Sequence, residues 1–395
     1  MVASCLALIA PALSAQGQDR ASQAVPSKPA ATPEAAPSSP SARDENRGPK
    51  DAIATDKAPA PQAAAPAPPP APRHIALILP LGSKTLGKVA DAVKQGFIAG
   101  ANADGKNAAA YRIYPADDEA GSLAAQYRRA ASDSAVAIIG GATRDGATAL
   151  AREAGYVPTL ALNAPAVASD NDLPTRFFHI SLNLDWEARL AARAATDEGL
   201  RRVAVVSAGS PLARRIQESF EKEWIRLGGE VAVRIAFGNE LGDGSRVISA
   251  MEKANADVVF LATEVRVARF ARPYLPVGMP VFATSLTIDP NASAVENLDL
   301  ESVRFMEMPW FVQPDHPAVM AYARPLEPLP IDYERLYALG IDAWRIAQNL
   351  IADQKPAIQL DGVTGRISLD GRQFVRQLAA GEIRDGRPTL FKPAE

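Results

Sequence analysis

The chain has 395 residues, enough for two domains of ordinary size, although its composition is too uneven for length alone to count them. With 42 Lys plus Arg against 45 Asp plus Glu and no basic block, it carries no electrostatic footprint for nucleic acid. Its single cysteine, Cys5, lies in an apolar N-terminal run. A thiolate metal site, a structural disulfide and a cysteine nucleophile are therefore excluded for the folded part.

Residues 2–15 form an apolar segment too short to span a bilayer and ending in small residues, which reads as a secretory signal cleaved after Ala15. It lacks the usual basic front, which places the expected start upstream. Val2-Ala3-Ser4-Cys5 resembles a lipoprotein processing box and makes Cys5 the candidate lipidation site, although the apolar core follows the cysteine instead of preceding it. The other reading is a cysteine that merely packs within the signal's apolar run.

From Gln16 to Pro72 the sequence holds 13 Pro and 16 Ala in 57 residues, with Val25 and Ile53 as its only large aliphatics. Such a stretch cannot bury enough apolar surface to offset the entropy of ordering it, so it is expected to be a disordered tether.

After Pro72 a single cadence repeats: apolar strand, amphipathic helix, glycine or turn, strand. Ile75–Leu79, Val136–Ile139, Thr159–Leu162, Val203–Val206 and Val258–Leu261 are continuous apolar runs, the pattern of strands buried on both faces of a parallel sheet. Between them, Ser210-Pro211 predicts a helix start, with Leu212, Ile216, Phe220, Trp224 and Leu227 at helical spacing and Gly228-Gly229 closing it. The number of units predicts two α/β lobes, each a parallel sheet between helices. An apolar element over Val303–Val312 precedes a long helix over Tyr333–Ala352. The strand Gly365–Leu369, the turn Asp370-Gly371 and a short final helix are expected to end the chain.

No catalytic motif is present: no nucleophile elbow, no His-Glu-x-x-His, no dinucleotide fingerprint. Gly82-Ser83-Lys84-Thr85 lacks the spacing of a phosphate loop. His74, His179 and His316 are far apart in sequence, and Asp117-Asp118-Glu119 suits a solvated strand end better than a cation site. The chain is thus expected to be no enzyme and to hold no cofactor or metal. In a two-lobed α/β protein, ligand contacts come from loops at the C-terminal ends of strands. Those loops offer Thr143, Arg144, Asn163, Ser210, Thr263 and Glu264. Arg144 and Glu264 across a cleft suit either a clamp for a zwitterion or an ion pair between the lobes. Trp186, Trp310 and Trp344 fall in or beside apolar segments and are expected in the core.

Two stretches carry a family resemblance. His74–Gly82 followed by Val93-Lys94-Gln95-Gly96-Phe97 resembles the opening of type I periplasmic binding proteins of the branched-chain amino-acid receptor kind. Glu334–Trp344, with Gly340-Ile341-Asp342 at its centre, and Leu360–Ser368 together resemble the C-terminal domain of LpoA-type activators of class A penicillin-binding proteins. The resemblance covers residues 73–395. It implies a two-lobed type I fold with lobe one at 73–182 and 286–357, lobe two at 183–285 and 358–395, and crossings near 183, 286 and 358. It also implies a non-catalytic protein of the periplasm, anchored at the inner leaflet of the outer membrane, that binds and stimulates a peptidoglycan synthase, a class A penicillin-binding protein. A lipid anchor would be its only contact with the membrane. Longer forms of the family carry a helical-repeat domain where this sequence has its tether. The alternative is a solute-binding protein for a small polar or amino-acid-like ligand, feeding an ABC transporter. Against an amino-acid ligand, the loop Gly140–Gly146 keeps only Thr143 of the hydroxyl run that such receptors use.

Overall fold

The continuous apolar runs fold as buried parallel strands. In the computed structural model, which describes residues 72–117, 119–238, 243–352 and 359–391, they are β1 (His74–Leu79), β3 (Ala135–Gly140), β4 (Thr159–Ala161), β6 (Arg202–Ser207) and β8 (Val258–Ala262). The expected signal, Cys5, the tether up to Ala71 and Asp118 lie outside the described residues. With β2 (Tyr111–Pro115), β5 (Phe177–Ile180), β7 (Glu230–Ala236), β9 (Val281–Thr284) and β10 (Val303–Glu307), these strands build two sheets. Helices on both faces join parallel neighbours, because a parallel pair needs a crossover.

The C-terminal strands complete both sheets. β11 (Gln359–Gly362), β12 (Gly365–Asp370) and β13 (Gln373–Gln377) extend the first to the order β11-β12-β13-β5-β4-β3-β1-β2. β14 (Ala379–Arg384) and β15 (Arg387–Leu390) extend the second to β15-β14-β10-β9-β8-β6-β7. Both sheets are thus mixed: parallel through the middle and antiparallel at this added edge.

This arrangement corrects three expectations. The lobe change expected near 286 does not occur there, because β10 pairs in parallel with β9, Val303 opposite Val281, and so belongs to the second sheet. The chain returns after Glu307, on the way to the helix Ile331–Ala352. The change expected near 358 falls instead between β13 and β14: β13 docks on β5, Gln373 opposite His179, and joins the β11–β12 hairpin to the first sheet. The expected final helix is absent among the described residues; β13, β14 and β15 take its place. Asp385 and Gly386, at φ 53° and 70°, form the tight turn of the β14–β15 hairpin, a two-residue geometry that favours Asp-Gly.

Backbone proximity locks the long helix Ile331–Ala352 to the helix Gly87–Asp104. A Cβ on Gly96 would collide with the Tyr337 carbonyl, and one on Gly340 with the Val93 carbonyl. Trp344 is fully buried beside this seam, edge-on to Phe97 at 5.1 Å between ring centroids, its indole N–H donating to Asp104 at 2.6 Å. Trp310 is likewise in the core, whereas Trp186 is half-buried and donates to the Arg376 carbonyl at 2.7 Å.

Candidate functional site

The loops after β3, β4 and β5 open into a cleft closed by both lobes. Ala142, Arg144, Asn163, Ala164 and Ser181 to Asp185 line it from these loops, and the long helix contributes Asp332, Tyr333, Leu336 and Leu339. From the second lobe, Arg215 reaches in from the helix Pro211–Arg226. The cavity measures about 140 Å³.

Local hydrogen bonds fix this rim. Thr143 caps the helix Arg144–Glu153, its Oγ1 accepting from Gly146 N at 3.0 Å, which places Arg144 as the first helical residue. Asn163 ties two loops together: its Nδ2 donates to the Ala142 carbonyl at 3.2 Å and its Oδ1 accepts from Ala164 N at 2.9 Å. Asn183 caps the helix Leu184–Asp197 by accepting from Asp185 N and Trp186 N. Asp185 and Arg215 pair with each other at 3.0 Å, joining the helices Leu184–Asp197 and Pro211–Arg226.

Of the six residues expected to form a cleft site, the structure places Arg144 and Asn163 in the lining and Thr143 beside them. The other three line no part of this cleft. Ser210 caps its helix, accepting from Ala213 N at 3.1 Å. Thr263 is buried and its carbonyl accepts from Thr287 Oγ1 at 2.8 Å. Glu264 stands at the start of the helix Val265–Ala271 and forms no ion pair with Arg144. The loop after β8 therefore does not supply the opposing wall; the first turns of the helices Leu184–Asp197 and Pro211–Arg226 do.

Behind the cleft, where the chain passes between lobes, lies a buried polar cluster that sequence reasoning missed. Arg335 donates to Glu307 Oε2 at 2.6 Å and to the Ser285 carbonyl at 3.0 Å, and pairs with Asp332 at 3.3 Å. Arg376 donates to the Ser181 and Thr364 carbonyls, each at 3.1 Å. Glu187 accepts from Ser285 N at 2.9 Å; burial, reinforced by the Glu307 charge, pushes its carboxyl up to about 7 against the pull of Arg376. Burial also raises the Asp332 carboxyl, and Arg335 only partly offsets this.

Asp342 joins the two halves of the C-terminal motif. Fully buried, it accepts from Val363 N at 3.0 Å, Thr364 N at 2.8 Å and Thr364 Oγ1 at 2.7 Å. The motif is thus a structural clasp between the long helix and the β11–β12 turn. For Asp332, Arg335 and Asp342 the signal was present in the sequence, as charged side chains interrupting the apolar stripe of the long helix, whereas Glu307 and Arg376 lie on strands.

Among the described residues, no group of three or more His, Cys, Asp or Glu is placed to hold a metal ion. No described helix is long and apolar enough to cross a membrane. His74 bonds Tyr114 at 2.8 Å, His179 faces Asp170 at 3.6 Å and His316 faces Asp361 at 3.5 Å, each in a different place.

Comparison with known proteins gives concordant results. The family model described as "LppC putative lipoprotein" matches residues 70–386. A Yersinia pseudotuberculosis protein named "Penicillin-binding protein activator LpoA" is 25% identical over 294 residues, covering 62% of this chain and 44% of that protein. The chain thus spans less than half the length of that relative. Among solved structures, one from Chromobacterium violaceum, titled as a "putative branched-chain amino acid ABC transporter", is 36% identical, covers 78% of this chain and 99% of its own, and superposes with a TM-score of 0.68. The LpoA C-domain from Haemophilus influenzae, "a regulator of PBP1A", is 20% identical, covers 81% of this chain and 100% of its own, and superposes with a TM-score of 0.63. The two-lobed α/β architecture is that of the type I periplasmic-binding-protein-like structures, and the chain belongs to the LppC family.

Proposed function

We propose that the protein is a non-catalytic regulator that binds a class A penicillin-binding protein and stimulates peptidoglycan synthesis. The observation that carries this reading is the family match across residues 70–386, which takes in both lobes, together with relatives named as penicillin-binding protein activators. The protein acts in the periplasm, held to the outer membrane through a lipid on Cys5.

The test is a glycan-polymerisation and crosslinking assay with the purified protein and each class A synthase of the same cell. Stimulation of one synthase, with pull-down of that synthase, is the expected result. Absence of both with every synthase overturns the reading. A second reading, a binding protein that carries a small solute to a transporter, is favoured by the likeness to the Chromobacterium structure and by the interlobe cleft. Ligand binding without any synthase stimulation would select it.

A further inference from the structure

The charges around the cleft are unequally satisfied. Asp185 is paired with Arg215 at 3.0 Å, and Asp332 is buried and paired with Arg335 at 3.3 Å. Arg144, exposed on the rim, makes no side-chain hydrogen bond or ion pair with any described residue. It is the one charged side chain of the lining without a partner. The same lining holds four leucines, Leu162, Leu182, Leu336 and Leu339.

An unpaired guanidinium in a lining with these leucines asks for a carboxylate on an apolar body, since Arg grips a carboxylate with two parallel N–H donors. Size narrows the body. At about 140 Å³ the cavity matches the ~150 Å³ apolar cavity that holds benzene. An ammonium group fares differently, because the lining offers it no unpaired carboxylate, and a cation taken out of water without a partner is costly. Glu264, the expected counter-charge, is not in the lining.

We propose that the interlobe cleft binds a small monocarboxylate with a branched or cyclic apolar body of about six carbons, its carboxylate on Arg144, in preference to the zwitterionic amino acid of the same shape. The proposal rests on the cleft alone. Synthase stimulation is measured without ligand, so either proposal can fail while the other stands.

The test is calorimetric titration of the full chain with 4-methylpentanoate, benzoate and leucine, repeated with Arg144→Gln. Leucine has the body of 4-methylpentanoate and adds an ammonium group, so the pair isolates that charge. The expected result is binding of at least one carboxylate at least about ten-fold tighter than leucine, and a loss of about ten-fold or more in Arg144→Gln. The variant is expected to melt with the parent, because Arg144 is exposed and unpartnered, which separates lost binding from lost folding. Leucine binding as tightly as the carboxylates, an affinity unchanged in Arg144→Gln, or no heat from either carboxylate in the millimolar range would each overturn the proposal.

Discussion

The crossing between the lobes and the outer flank of the second lobe each hold a glutamate with little surface exposed, at different depths and with opposite results. Glu187 at the crossing and Glu223 on the flank are both 5% exposed. Glu223 receives Arg226 through two nitrogens, at 2.7 and 2.8 Å, and Arg193 at 2.6 Å. The Arg226 hydrogen bonds, helped by Arg193, hold its carboxyl down to about 2 in spite of burial. Glu187 has one backbone amide and a like charge, Glu307, nearby, and its carboxyl rises to about 7. Depth of burial and direct partners therefore set the charge state together. A hydrogen-bonded guanidinium whose far side stays in water offsets the desolvation of a carboxylate, and a distant one does not.

The largest test of this contrast removes the guanidinium that does reach a crossing carboxylate. Arg335→Met leaves Glu307 buried without its ion pair and is expected to cost about 3–5 kcal/mol in urea denaturation. A loss below about 1 kcal/mol would mean that the crossing relaxes to admit water.

An intermediate effect is expected from Glu187→Gln. Because the folded-state value lies above the ordinary 4.5, the contribution of Glu187 to stability is fully present below that pH and is lost as pH rises through about 7. The parent should lose up to about 3 kcal/mol between pH 4.5 and alkaline pH from this group, whereas the variant, which still accepts from Ser285 N, should show a flatter profile of melting temperature against pH. Identical profiles would break the contrast.

The smallest effect is expected from Glu223→Gln. Here the folded-state value is depressed, so the stabilisation is present above the ordinary carboxylate range and is lost as pH falls through about 2. Both arginine partners are solvent-exposed, and the variant should cost only about 1 kcal/mol at neutral pH by thermal denaturation. A larger cost than that of the Arg335 variant would reverse the ranking.

Sequence pattern made the sheet interiors legible because strands such as β1 and β8 are apolar on both faces and admit one interpretation. It was weaker at the C-terminal edge. Gln373–Gln377 and Ala379–Arg384 mix polar and apolar residues, and only the pairing of β13 with β5 and of β14 with β10 assigns them to sheets. Asp385-Gly386 carries a two-residue hairpin signal, which the expectation of a short final helix left unused. For the cleft, Arg144 and Asn163 followed from the rule that ligands meet the C-terminal ends of strands. Asp185, Arg215 and Asp332 did not, since they come from first turns of helices that tertiary packing alone brings together.

One residue, Leu378, separates β13 from β14, so the two sheets are fastened to each other over at most about 7 Å of chain. The first crossing, 181–183, is bonded to the same place through Arg376 and the Ser181 carbonyl, and Leu182 and Met308 share one small cavity beside Glu187. With these connections gathered at one spot, any rotation of one lobe on the other would turn about that spot. A molecule gripping the distant rim of either lobe therefore works with mechanical advantage. A substitution beside Leu378 acts at the fulcrum, where a small shift in backbone angle is multiplied along the whole length of both lobes.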